Sequence, residues 1–181
     1  MTVNVNRVVV WDALSTNLPY NEKMTPLVYV ETTIPSYYCD NRPAVATDIA
    51  RTREWWDGER DNYDCYMSAV VLDELGSGDY PNKQACLTLV EALPLLDVTA
   101  EVLEIARIYQ ARRLMPQPPV RDALHLALAS YYRMDFLLTW NCRHIANANK
   151  TKHLEVLNHG MGLPVPQLIT PHQLQTWEES P

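Results

Sequence analysis

The most informative stretch of this sequence is Leu27-Val28-Tyr29-Val30-Glu31-Thr32-Thr33. Four consecutive apolar residues with β-branched members predict a short strand buried on both faces, as strands of parallel sheets are. An acidic residue, Glu31, follows directly where this strand should end. The stretch therefore predicts a buried strand that delivers a carboxylate to one edge of a parallel sheet.

Short apolar runs alternate with longer helical patterns from Leu27 onward. Further strands are predicted at residues 64–68, 94–98, 136–139 and 168–169. Helices are predicted at residues 44–58, 69–75, 82–93, 100–113 and 120–133, with Thr99 as a helix cap and the proline-rich segment 116–119 as a rigid connector. Strand and helix alternation at these lengths predicts an open α/β sandwich with a mainly parallel sheet.

The composition is that of a globular domain, because 47% of the 181 residues are apolar and 20% are charged. A chain of this length can bury a sizeable core, which excludes disordered and fibrous classes. No run of about 18 apolar residues exists, so we expect no membrane span. The four cysteines are scattered and form no CxxC pair. We therefore expect free thiols and a cytoplasmic location, not a zinc or disulfide framework.

Residues 1–23 differ from the rest of the chain, because their polar and turn-forming residues show little periodicity. Met24 precedes the Thr25-Pro26 pair that leads into the first strand. Two interpretations stay open: residues 1–23 are a genuine N-terminal extension, or Met24 is the natural start, which we favour slightly. In either case residues 24–181 are expected to form one domain.

The net charge of −7 argues against nucleic-acid binding through bulk electrostatics. Proteins that bind nucleic acids in this way neutralise phosphates with an excess of Lys and Arg. Any such role must therefore depend on a local basic patch or on metal ions.

Polar side chains follow the first and fourth predicted strands and begin the helix between them. Glu31 and Asn141 follow the strands, and Asp122 lies in the first helical turn. Ligands of open α/β sheets bind beyond the carboxyl ends of the strands, so these residues converge if the two strands are neighbours. Glu74, on the helix after the second strand, falls near Val70 and Val71 at helical spacing and can face inward.

Gathered carboxylates repel one another unless a cation joins them, and hard oxygen ligands suit Mg²⁺ or Mn²⁺. Such a site can activate water for displacement at phosphorus. Each residue also has a simpler interpretation, as a solvated strand-end charge (Glu31), a surface acid (Glu74), a partner of the helix dipole (Asp122) or a turn residue (Asn141). His125 shares a helix face with Asp122, and a histidine in this position is more often a structural or site-lining residue than a metal ligand.

Four runs together resemble a PIN domain, most closely the VapC-type toxins: residues 28–38, 68–78, 120–127 and 137–145. The similarity spans about residues 27–175. It implies a three-layer α/β/α sandwich with the parallel strand order 3-2-1-4-5. It also implies a ribonuclease that depends on Mg²⁺ or Mn²⁺, forms a dimer, and is held inactive by a cognate antitoxin protein.

The resemblance also assigns roles at the acidic cluster. Metal ligands would be Glu31, Glu74, Asp122 and Asn141, and the same residues together with Thr139 would be catalytic. The sequence departs from the family pattern in two places. Glu31 stands where aspartate is usual and is longer by roughly 1.5 Å, and Asn141 stands where an acid is frequent. The cluster then carries three negative charges, which weakens a second metal more than the first and predicts a one-metal site.

RNA contacts are expected from three residues beside the cluster. Arg143 and Lys150 could bind phosphates, although solvated surface is an equal alternative. Trp140 could stack an unpaired base, with core packing as the alternative. The Trp55-Trp56 pair looks exposed and could serve a dimer or antitoxin interface, or the core.

Two other function classes are open at this stage. The first is a PIN-fold module for nucleic-acid binding or protein interaction whose catalysis is weakened, which Glu31, Asn141 and the acidic net charge favour. The second is another nucleotide-binding α/β protein. No P-loop or GxGxxG motif follows any predicted strand, which argues against the second.

Overall fold

The computed structural model describes residues 25–115 and 121–174. Its core is a sheet of five parallel strands in the order β3-β2-β1-β4-β5. The strands are β1 (Leu27–Val30), β2 (Asp64–Ser68), β3 (Leu95–Leu96), β4 (Phe136–Leu138) and β5 (Gln167–Ile169). The fold is the predicted three-layer α/β/α sandwich, and the strand order is the one that the resemblance implies. The extension at 1–23 and the connector at 116–119 lie outside the described residues.

Seven α-helices connect and cover the strands in the part of the chain described. They are α1 (Thr33–Tyr38), α2 (Ala46–Glu54), α3 (Ala69–Gly76), α4 (Lys83–Val90), α5 (Ala100–Ala111), α6 (Arg121–Tyr131) and α7 (Thr151–Met161). Helices α5 and α6 pack against each other, and α1 packs against α2 and α4. None of the helices in residues 25–115 and 121–174 is long and apolar enough to cross a membrane.

The central strand β1 places the candidate site. Val28, Tyr29 and Val30 have no exposed surface, which confirms a strand buried on both faces. Strand β1 pairs with β2 on one side and with β4 on the other. The ladder continues one residue beyond the end of β1, because Glu31 N donates to Leu138 O at 3.1 Å. The carboxyl ends of β1 and β4 therefore lie side by side, as the converging polar residues require.

The tryptophan pair after α2 belongs to the core and is not an exposed surface. Trp55 is fully buried and Trp56 is 6% exposed. The chain continues from α2 into a π-helical turn at Trp55–Glu59, which turns both indoles inward. Trp55 packs beside Tyr63, and Trp56 packs beside Tyr38. Of the two alternatives for this pair, the structure supports core packing.

Candidate metal centre

Glu31 lies at the end of β1 with 4% of its surface exposed. Its Oε2 accepts hydrogen bonds from Thr139 Oγ1 (2.7 Å), Thr33 Oγ1 (2.5 Å) and Thr33 N (3.0 Å). The side chain thus bends back over the residue two positions later. Among the described residues, Oε1 accepts no hydrogen bond, so one oxygen of a fixed, buried carboxylate is available to a ligand.

Glu74 reaches the same place from α3, the helix that follows β2. Its Oε2 accepts a hydrogen bond from Thr32 Oγ1 and lies 3.0 Å from His125 Nε2, while Arg121 Nε lies 3.8 Å from Oε1. Burial by itself raises the pKa of the Glu74 carboxyl, but the bonds and charges of His125, Thr32 and Arg121 lower this pKa below its usual value. Glu74 is therefore a carboxylate aimed inward, as its helical position predicts.

His125 lies on α6 and is completely buried between the two glutamates and the core. Its Nε2 is 3.0 Å from Glu74 Oε2 and 3.9 Å from Glu31 Oε1. Its Nδ1 is 2.8 Å from Tyr29 Oη, which in turn lies 2.7 Å from Ser68 Oγ. Burial favours the neutral ring, but the hydrogen bond that the ring donates to Glu74 and the surrounding negative charges raise the pKa of His125.

These three side chains form a group that could hold a metal ion. Glu31, Glu74 and His125 each offer one ligand atom, and the three atoms lie within 4.8 Å of one another. The donor set fits a divalent cation, because two carboxylate oxygens and an imidazole nitrogen are common ligands of such ions. The available Oε1 of Glu31 faces into this group, and a cation there would relieve the repulsion between the carboxylates.

Asp122 and Asn141 form a second pair beside this group. Asn141 Nδ2 donates to Asp122 Oδ1 at 3.0 Å, and Asn141 N donates to Thr139 Oγ1 at 2.9 Å. Thr139 thus links the pair to Glu31, and the negative charge of Asp122 acts on His125. Asp122 is not one of the three residues of the ligand group. The five residues expected at the site are therefore connected in space, in two neighbouring sets.

Trp140 is half-buried and forms the wall next to the site. Its ring stacks on Tyr37, with a centroid distance of 5.4 Å and an interplanar angle of 20°. Its Nε1 donates to Thr52 Oγ1 at 2.8 Å, and its backbone N donates to Thr33 Oγ1 at 2.7 Å. The indole is therefore held in one orientation by both its polar end and its backbone.

The two basic residues expected to bind phosphate differ in their surroundings. Arg143 is exposed. Lys150 is half-buried, and its Nζ donates to His144 O at 3.1 Å. Burial lowers the pKa of Lys150, and the charge of Asp122 opposes this effect. Lys150, His144 and Arg113 are among the residues that line an open cleft of about 590 Å³.

Several residues that complete the site could not be identified directly from the sequence. The pair Thr32-Thr33 holds both glutamates, and Tyr29 contacts the far side of His125. The sequence contains one indication that His125 belongs to the site. Asp122 and His125 are three residues apart on a helix and thus share a face. Its contact with Glu74 depends on how α3 and α6 pack, which spacing along the chain does not specify.

Comparison with known proteins identifies a similar fold. The chain is similar to a chain of a toxin-antitoxin complex from Klebsiella pneumoniae, with a TM-score of 0.50 and 15% sequence identity. The match covers 80% of this chain and 97% of that chain. At this level of identity the similarity concerns the fold alone. No family model matches the sequence, and no curated protein matches it.

Proposed function

We propose that this protein is a metal-dependent endoribonuclease that hydrolyses phosphodiester bonds of RNA. The observation that carries the proposal is the buried group Glu31, Glu74 and His125 at the carboxyl end of the central strands. The neighbouring pair of Asp122 and Asn141 adds a further carboxylate beside it. Buried carboxylates placed this closely are typical of divalent-metal sites that act on phosphates.

Mg²⁺ or Mn²⁺ bound by these residues would supply Lewis acidity and lower the pKa of a coordinated water. The protein's own side chains would hold the ligands in place and accept the proton. Thr139 and Thr33 hold Glu31 in place by hydrogen bonds to one carboxylate oxygen. Asp122 uses one oxygen to accept the Asn141 amide, so its other oxygen can accept a proton from an attacking water.

RNA would be bound beside the site by a stacking surface and by cations. Trp140, fixed by Thr52 and stacked on Tyr37, can take an unpaired base, because aromatic stacking tolerates any base. Arg143 and Lys150 can contact phosphates of the bound strand. This arrangement favours single-stranded RNA, and it supplies local cations in a chain whose net charge is −7.

The biological role that fits this activity is the toxin of a type II toxin-antitoxin pair. The similar solved structure is itself a toxin-antitoxin complex, which supports a toxin role and a cognate antitoxin partner for this chain. We further propose that residues 24–181 form a single PIN domain that acts as a homodimer in the cytoplasm.

The proposal is tested by RNA cleavage with the Asp122→Asn variant. We expect labelled single-stranded RNA to be cut by the parent protein with Mn²⁺ or Mg²⁺ and left intact with EDTA. Asp122→Asn removes the proton acceptor but keeps an oxygen that can accept the Asn141 amide, so cleavage is lost while the melting temperature stays nearly unchanged. Asp73→Asn is the matched control, because Asp73 is exposed on α3 beside Glu74.

Cleavage by Asp122→Asn at the rate of the parent would refute this mechanism. An absence of cleavage by the parent, together with an absence of Mn²⁺ binding at millimolar concentration, would favour the binding or interaction module instead. The latter possibility gains some support from Asn141, which donates to Asp122 and adds no negative charge.

A further inference from the structure

We propose that the metal site selects a first-row transition ion over Mg²⁺, because His125 Nε2 is one of its ligands. This inference depends on the proposed function only in placing a metal ion in this group. The residues that carry it are Glu31, Glu74 and His125, whose ligand atoms lie within 4.8 Å of one another. A site with an imidazole ligand differs in its ion preference from one built of oxygens alone.

The position of the His125 imidazole is suited to metal binding. His125 is fully buried, and its Nε2 points between the two glutamates, 3.0 Å from Glu74 Oε2 and 3.9 Å from Glu31 Oε1. Glu31 Oε1 accepts no hydrogen bond from any residue in the described ranges. An ion in this space would take one oxygen from each glutamate and the nitrogen, and it would replace the contact between His125 and Glu74.

The far side of the ring carries the support that metal-bound histidines usually have. A histidine that binds a metal through Nε2 carries its proton on Nδ1 and donates it to a neighbouring acceptor, which fixes the tautomer and the ring orientation. Tyr29 Oη lies 2.8 Å from Nδ1 and can accept this proton, while its own hydroxyl can donate to Ser68 Oγ, which lies 2.7 Å away. Tyr29 and Ser68 are both fully buried, so this orientation is held by the core.

Ion preference follows from the donor atoms. Mg²⁺ favours oxygen ligands in strict octahedral geometry and keeps several of its waters, so a nitrogen ligand adds little to its binding. First-row transition ions bind imidazole well, and their affinities rise from Mn²⁺ to Co²⁺. We therefore expect affinities in the order Mg²⁺, Mn²⁺, Co²⁺, from weakest to strongest.

The test measures metal binding by the full chain without RNA. Mn²⁺ is titrated into the protein and the free ion is followed by electron paramagnetic resonance, and Mg²⁺ is then added as a competitor. We expect Mn²⁺ to bind at least about tenfold more tightly than Mg²⁺, a gap of about 1.4 kcal/mol. Pulsed measurements on bound Mn²⁺ should show nuclear modulation from a directly coordinated imidazole nitrogen.

Two variants then test whether His125 supplies the nitrogen ligand and whether Tyr29 supports it. His125→Gln should abolish the nitrogen modulation and reduce the preference for Mn²⁺ over Mg²⁺. Tyr29→Phe should weaken Mn²⁺ binding by about 10–100-fold, the usual effect of losing the partner of a metal-bound histidine. Tyr109→Phe is the matched control, because Tyr109 is also fully buried but bonds to Ser130 and Asn158, away from the site.

Bound Mn²⁺ without nitrogen modulation, or with the same affinity as Mg²⁺, would overturn the inference. This readout uses the unchanged chain, so it stands even if His125→Gln does not fold. An absence of Mn²⁺ binding overturns it as well. The nuclease proposal fails separately: nitrogen-ligated Mn²⁺ without RNA cleavage supports this inference alone, and cleavage with an all-oxygen site supports the nuclease alone.

Discussion

Thr139 contacts both sets of residues at the site through a single hydroxyl. Its Oγ1 donates to Glu31 Oε2 at 2.7 Å and accepts from the backbone N of Asn141 at 2.9 Å. The side chain is fully buried, so removing its hydroxyl takes this partner from Asn141 N and leaves Glu31 Oε2 with its two bonds from Thr33. A buried donor or acceptor that loses its hydrogen-bond partner destabilises the fold by its full desolvation penalty.

Thr139→Val tests this double role, because valine keeps the shape and removes only the hydroxyl. We expect the free energy of unfolding to fall by about 1–3 kcal/mol, as measured by urea denaturation without metal. Mn²⁺ affinity should also fall, because Glu31 loses one of the bonds that fix it.

Thr52→Val provides the comparison. Thr52 is also a fully buried threonine, but its hydroxyl accepts from Trp140 and donates to Asp48 O. Thr52→Val should lower the free energy of unfolding without lowering the Mn²⁺ affinity. Equal Mn²⁺ affinities for the parent and Thr139→Val would contradict the role of Thr139 at the metal group.

The five expected site residues could be predicted from the sequence because each one stands near the end of a predicted strand or helix. Glu31 and Asn141 could be predicted because strand ends of a parallel sheet meet at one edge, and the structure confirms that β1 and β4 are neighbours. The participation of His125 could not be predicted in the same way. It depends on contacts with Tyr29 and Glu74, which are 96 and 51 positions away in the chain.

Helix α5 illustrates how a local signal fixes the start of an element. Thr99 Oγ1 accepts from the backbone N of Val102 at 3.3 Å, which is the N-cap that the sequence predicts. Thr99→Ala should lower the free energy of unfolding by about 1 kcal/mol, because a backbone N–H at the helix start loses its partner. Urea denaturation measures the change.

Thr88→Ala is a suitable control for this cap, because Thr88 is exposed within α4. It should be neutral or slightly stabilising, since alanine has the higher helix propensity. RNA cleavage should be unchanged in both variants. An equal loss of stability in both would contradict a capping role for Thr99.

Element boundaries and two helices show where sequence reasoning stops. Helix α7 (Thr151–Met161) was not predicted, because many of its residues are polar and only Leu154 and Asn158 are buried in it. Helix α1 (Thr33–Tyr38) was not predicted either, since it is short and contains Pro35. The third strand was expected over 94–98 but spans only Leu95–Leu96, because pairing with the edge of β2 sets its length.

The charge of the whole molecule makes salt dependence informative. With a net charge of −7, the proposed RNA affinity must come from a few local cations. For single strands the slope of log affinity against log salt is about −0.7 per neutralised phosphate. Arg143→Ala and Lys150→Ala should therefore each reduce the steepness of this slope by about 0.7.

Fluorescence anisotropy with labelled RNA measures these slopes, and EDTA is added to prevent the proposed metal-dependent cleavage. Arg133→Ala is the control, because Arg133 is exposed. It follows the C-terminal end of α6, whereas Asp122 lies at the N-terminal end of this helix. A slope that is the same for the parent, Arg143→Ala and Lys150→Ala would place the RNA elsewhere on the molecule.

The most direct test of metal-dependent cleavage compares two titrations of one sample. RNA cleavage is measured as a function of free Mn²⁺, and the Mn²⁺ dissociation constant is measured by calorimetry on the same protein. We expect the cleavage rate to reach half its maximum at that dissociation constant, and both signals to disappear in Glu31→Gln. Cleavage that persists in EDTA, or that continues unchanged in Glu31→Gln, would contradict a metal nuclease at this site.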